Sequence, residues 1–80
     1  MYQELRNYLN NNSFKLTLTN NYLNIENYLK IIILEDNRID ILLNNNVLKI
    51  KGEDLKLKRI MNKELMITGL ILELKLVKNE

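Results

Sequence analysis

Ser13 is the only serine in the chain, and neither histidine nor cysteine occurs anywhere in it. Nucleophilic catalysis needs a nucleophile beside a base that can take its proton. The lysines that could serve as bases alternate with apolar residues, which leaves them solvated and cationic rather than driven to a low pKa by burial. The chemistry of a hydrolase is therefore not expected. Without cysteine and histidine the ordinary zinc and haem ligand sets cannot be assembled either. Two acidic clusters remain, Glu35-Asp36 with Asp40 and Glu53-Asp54. A calcium loop wants oxygen ligands at alternating positions and a bidentate Glu at the twelfth. Here Arg38 stands between Asp36 and Asp40, and the twelfth position counted from Asp36 is Val47. These carboxylates read as turn residues. Gly52 and Gly69 are the only glycines, and neither belongs to a phosphate-cradling loop that opens a helix. No catalytic residue, metal or cofactor is implied.

What the residues do offer is a basic face. Between Val47 and Lys78 eight basic residues stand against four acidic ones, a local charge of +4, whereas the first 46 residues sum to −1. Lys49, Lys51, Lys56 and Lys58 alternate with Leu48, Ile50, Leu55 and Leu57, which places all four on one sheet surface if the segment is a strand. Such a surface could attract lipid head groups, nucleic acid or an acidic protein. It could equally be a solvated outer face whose lysines discourage edge-to-edge association. Nucleic acid ranks last, because single-strand binders add aromatic stacking. The aromatics Tyr2, Tyr8, Phe14, Tyr22 and Tyr28 all precede residue 30, away from most of the lysines.

The elements that would position this face follow from periodicity. Tyr2, Leu5 and Leu9 fall at helical spacing, so residues 1–12 are expected to form a short N-terminal helix. From Phe14 the period changes to two, and residues 13–80 are expected to form one β domain. Strands are expected over 14–18, 22–26, 30–34 and 38–43, with polar turns at Asn20-Asn21, Glu35-Asp36-Asn37 and Asn44-Asn45-Asn46. Further strands carry Leu48 and Ile50, Leu55 and Leu57, Leu65 and Ile67, and finally Leu72, Leu74 and Leu76. Seven or eight short strands make a small antiparallel sandwich or meander. A 17-residue echo runs from Leu48, Ile50, Gly52, Leu55 and Leu57 to Leu65, Ile67, Gly69, Leu72 and Leu74. It admits a β-solenoid stack as the alternative, although two copies are fewer than a solenoid needs.

Eighty residues make one domain with a thin stability margin. With disulfides and metals excluded, a partner or a second copy of the chain is the remaining supplement. No stretch approaches the ~20 apolar residues of a membrane-spanning helix, and the first residues lack the pattern of a secretory signal. A cytoplasmic protein is expected.

Several segments together resemble the YabP/YqfC family of sporulation proteins. They are Phe14-Lys15-Leu16-Thr17-Leu18, Leu23-Asn24-Ile25-Glu26-Asn27-Tyr28, Arg38-Ile39-Asp40-Ile41, Leu48 to Leu57, and Glu64-Leu65-Met66-Ile67-Thr68-Gly69. The likeness covers about residues 14–77 and is greatest to the YqfC branch, with its "L-x-I-E-N" element and two "I-x-G" corners. It implies a non-enzymatic protein of endospore-forming bacteria, working in the mother cell, at the periphery of the forespore membrane or in the spore coat. It also implies a YqfD-type membrane protein as partner. Ile25, Glu26, Asn27, Gly52 and Gly69 match the family pattern and are read as fold-forming. Two residues depart from it. Asparagine at 44–46 stands where a glycine is frequent, a place an Asn in the left-handed region could fill, and Leu70 follows Gly69 where a polar residue is usual. Two other readings stay open: a module for anionic surfaces using the lysine face, and a self-assembling structural protein.

Overall fold

The computed structural model describes residues 14–78; the expected helix over 1–12 lies outside them. Among the described residues there is no helix. Six strands form one antiparallel sheet: β1 (Lys15–Leu18), β2 (Tyr22–Glu26), β3 (Lys30–Leu34), β4 (Arg38–Leu42), β5 (Asn46–Met61) and β6 (Glu64–Lys78). Their order across the sheet is β1-β2-β6-β5-β4-β3. Strands β3 to β6 are thus a meander, and the β1–β2 hairpin joins its far side along β6.

Six strands rather than seven or eight result because two pairs of expected strands are continuous. The segments around Leu48 and Leu55 are both β5, and those around Leu65 and Leu74 are both β6. The 17-residue echo is therefore the two legs of one antiparallel hairpin, not the coils of a solenoid. Unbent, a strand of 16 residues would run to roughly 50 Å at about 3.3 Å per residue, yet the longest dimension of the molecule is 33 Å. The hairpin must bend, and it does so where its register slips, between Lys51 and Gly52 and again between Glu53 and Lys56. The bend divides the sheet into two arms. One holds β1, β2, the start of β6 and the end of β5. The other holds β3, β4, the start of β5 and the end of β6.

The core lies between the arms. Leu23, Ile25, Leu65 and Ile67 come from the first, and Ile39, Ile41, Leu48 and Ile50 from the second, with Leu43, Leu55 and Tyr28 completing the cluster. Each of these strands shows the alternation that hides one face. Leu72, Leu74 and Leu76 do not follow. They are 61%, 36% and 47% exposed, although Leu74 lies opposite buried Ile50 and Leu76 opposite buried Leu48. Leu74 and Leu76 point to the core side of the sheet, but on its outermost strand in that arm, where the first arm no longer covers them, and Leu72 falls at the register slip opposite the Lys51–Gly52 step. Leu34 is exposed at the other border for the same reason, opposite buried Ile39.

Two glycines make the bend possible. A Cβ on Gly52 would collide with the carbonyl oxygen of Leu70, and one on Gly69 would lie 2.5 Å from the carbonyl oxygen of Asp54. Gly69 also has φ +121°, which L side chains rarely adopt. Asp54 itself takes a positive φ of 54°. The β3–β4 turn closes over the outside of the bend. There the amides of Gly52 and Leu55 donate to the carbonyls of Asn37 and Asp36, at 3.1 and 2.8 Å.

The other turns differ in mechanism. Asn62 and Lys63 both have positive φ, 51° and 62°, the geometry of a type I′ hairpin. The asparagines at 20–21 and 44–46 do not enter the left-handed region. At the first of these turns the Thr19 hydroxyl accepts from the amides of Asn21 and Tyr22, both at 3.2 Å. At the second, the Leu43 amide donates to the Asn46 carbonyl at 2.8 Å. Asn27 does take positive φ, 66°, where β2 hands the chain to the opposite border, and its amide donates to the Lys63 carbonyl at 2.7 Å.

Two substitutions test this account. Gly69→Ala should destabilise the protein by about 3 kcal/mol, from backbone strain and the clash with Asp54 together. Lys63→Gly, which gives the type I′ turn its preferred Asn-Gly pair, should raise stability by about 0.5–1 kcal/mol. Urea titrations followed by circular dichroism measure both.

Candidate functional site

On the outer face of the second arm, six charged side chains form two rows across β4, β5 and β6. Register places Arg38, Lys51 and Glu73 side by side in one row and Asp40, Lys49 and Lys75 in the next. Alternation puts them there, because their neighbours Ile39, Ile41, Leu48 and Ile50 take the inner face. Arg38, Lys49, Lys51, Glu73 and Lys75 line a shallow depression of about 180 Å³.

The charges are unevenly satisfied. Asp40 is buried, and Arg38, two residues away on the same face, holds it through both carboxylate oxygens, Nε to Oδ1 at 3.2 Å and a terminal nitrogen to Oδ2 at 3.0 Å. The Asp40 carboxylate in turn raises the Arg38 pKa above its ordinary value, first through the hydrogen bond and then through charge attraction, with Glu35 adding to it. A cation whose folded pKa is raised adds stability that is lost only as pH climbs through that value, so Arg38 adds no pH dependence near neutrality. Lys51 reaches Glu73 at 3.9 Å with both side chains well exposed, a weak contact. Among the described residues no carboxylate lies within ion-pair distance of Lys49 or Lys75, and those two lysines stand directly opposite each other. Like charges at facing positions repel. An anion such as a carboxylate or phosphate would relieve that repulsion, and the depression has room for one.

The structure divides the four lysines that alternation assigns to one surface. Lys49 and Lys51 line the depression. Lys56 faces Thr68 beyond the bend, on the first arm, and Lys58 sits at the register slip between Leu57 and Arg59. Alternation counts faces along a strand and is blind to a corner within it. Arg38 and Lys75 are the members that the sequence reading missed. Their spacing from hydrophobic neighbours marks them as outward-facing, but only the pairing of β4 and β6 with β5 brings them beside Lys49. Of the motif residues, Ile25 is wholly buried, Glu26 is paired between Lys15 and Glu64, and Asn27, Gly52 and Gly69 hold special backbone positions.

Asp36 and Asn37 serve the bend through their carbonyls, and Asp40 is held by Arg38. Among the described residues no three His, Cys, Asp or Glu side chains gather as a metal site, and no helix is long and apolar enough to cross a membrane. No family model matches the sequence, and no curated protein or solved structure shows significant similarity to it.

Titration with inorganic phosphate at low ionic strength should shift the amide resonances around Lys49, Lys51 and Lys75 and leave those of Lys56 and Lys58 unmoved. Equal shifts at both sets would show that the bend does not separate them. Added salt should weaken the effect at this exposed site.

Proposed function

We propose that this chain is a non-enzymatic sporulation protein of YabP/YqfC type, acting in the mother cell by docking on a protein partner. The partner implied by the resemblance is a YqfD-type membrane protein, and the place is the periphery of the forespore membrane. The observation that carries this reading is the role of the motif residues. Asn27, Gly52 and Gly69 all occupy positions with a backbone demand, a positive φ or a close backbone approach. That supports treating the motif set as the signature of a fold, where ordinary strand alternation would not have required those residues. The basic depression is the contact we assign to the partner, through an acidic segment whose carboxylates would sit between Lys49 and Lys75.

A second reading uses the same depression to bind an anionic surface directly, as a lipid head group would provide. The two facing lysines favour it as much as they favour an acidic protein. In a spore former carrying this gene, deletion should lower the yield of heat-resistant spores, and the wild-type gene should restore it. A copy with Lys49→Gln and Lys51→Gln should not. Normal spores from the deletion strain would dispose of the sporulation reading. Retention of the purified protein on anionic vesicles, lost in the double variant, would favour the second reading over the first.

A further inference from the structure

We infer that the chain pairs with a second copy of itself along the outer edge of β6 between Leu72 and Leu76, antiparallel about a two-fold axis through Leu74. This does not rest on the sporulation reading. Strand β2 lies along β6 only as far as Thr68, and from there to Lys78 β6 is hydrogen-bonded on one side alone, to β5, among the described residues. A long free strand edge is a template for another strand. The other outer strands are blunter. Strand β1 has four residues and β3 five with a register slip between Ile31 and Ile33, whereas β6 keeps unbroken register from Glu73 to Lys78, beyond its own slip at Leu72.

The side chains of this edge suit a copy of themselves. With the axis at Leu74, Glu73 of each copy faces Lys75 of the other, twice over. Leu74 meets Leu74, and Leu76 meets Leu72 where the regular run ends at the slip. Moving the axis to Glu73 or Lys75 sets two like charges against each other, and placing it between residues sets leucines opposite charges. One register alone therefore matches charge with charge and apolar with apolar, and register in sheets is set by such matching. The pairing also resolves two features that the single chain leaves open. Lys75, which faces Lys49 within the chain, gains the carboxylate of the partner's Glu73. Leu74 and Leu76, exposed on the inner side, form a doubled leucine strip with those of the other copy, and the exposed Leu72 lies at each end of it. Such an interface is isologous and uses up the edge, so it closes at two chains. It also brings the two basic depressions next to each other on one outer face.

The test is sedimentation equilibrium of the full chain over a wide concentration range, repeated with charge variants. The wild type should pass from monomer to dimer and stop there. Glu73→Lys and Lys75→Glu should each weaken the dimer roughly tenfold or more, since each turns two facing attractions into repulsions. The double variant Glu73→Lys with Lys75→Glu restores opposite charges across the axis and should regain dimerisation. Circular dichroism confirms that each variant is folded. A monomer at all concentrations, a species that keeps growing with concentration, or a double variant no better than the single ones would overturn the inference.

Discussion

Everything in this fold depends on the close approach of two backbones at one corner. Gly52 lies against the carbonyl of Leu70 and Gly69 against that of Asp54, with no room for a side chain at either place. Because the paired strands stay together through the bend, one hairpin contributes to both arms and the sheet covers its own apolar face. A short chain without disulfides or metal ligands has few other ways to hide that face. The β3–β4 turn holds the corner from the β4 side: Asn37 accepts the Gly52 amide, one rung beyond the β4–β5 register, and Asp36 accepts that of Leu55.

The bend also decides what remains uncovered. Folding one sheet over itself leaves overhangs, because the strands added at either border extend past the opposing arm. The end of β6 is one overhang, and it carries both the exposed leucines and an edge that is unpaired among the described residues. The same arm carries the charged rows on its outer side. A contact surface for a partner, an anion or another copy of the chain is thus a geometric consequence of how the core is closed. In this protein β6 gives Glu73 and Lys75 to the basic depression and the exposed leucines to the edge beside it.

Much of the fold was legible in the residues. Period-two runs located the strands other than β3, which is a continuous apolar run, and Leu23, Ile25, Ile39, Ile41, Leu48, Ile50, Leu65 and Ile67 are buried as the alternation implies. Both glycines were legible as bends. Alternation tells which face a side chain takes, however, and not whether anything covers that face, so it could not show that Leu74 and Leu76 stay exposed. Nor does it tell a turn from a corner that keeps its pairing, which is why two long strands looked like four short ones. The lysine face suffered from the same blindness: Lys49 and Lys51 belong with Arg38 and Lys75, partners set by register between strands that are distant in sequence. The asparagines show a subtler limit. The left-handed region was open to an Asn at 44–46, yet local hydrogen bonding closes that turn and the one at Asn20-Asn21 without it, whereas Lys63 does take the left-handed conformation.

The central claim is that the sheet doubles back so that Leu23 and Ile25 of β2 share one apolar interior with Ile41, Leu48 and Ile50 of β4 and β5. Methyl–methyl nuclear Overhauser contacts in the selectively labelled protein report this most directly. Cross-peaks should link isoleucine and leucine methyls of β2 with those of β4 and the first half of β5, although no ladder hydrogen bond joins β2 to either strand. Their absence, with contacts confined to strands adjacent in the sheet, would mean that the two arms lie open and that the corner does not close the core.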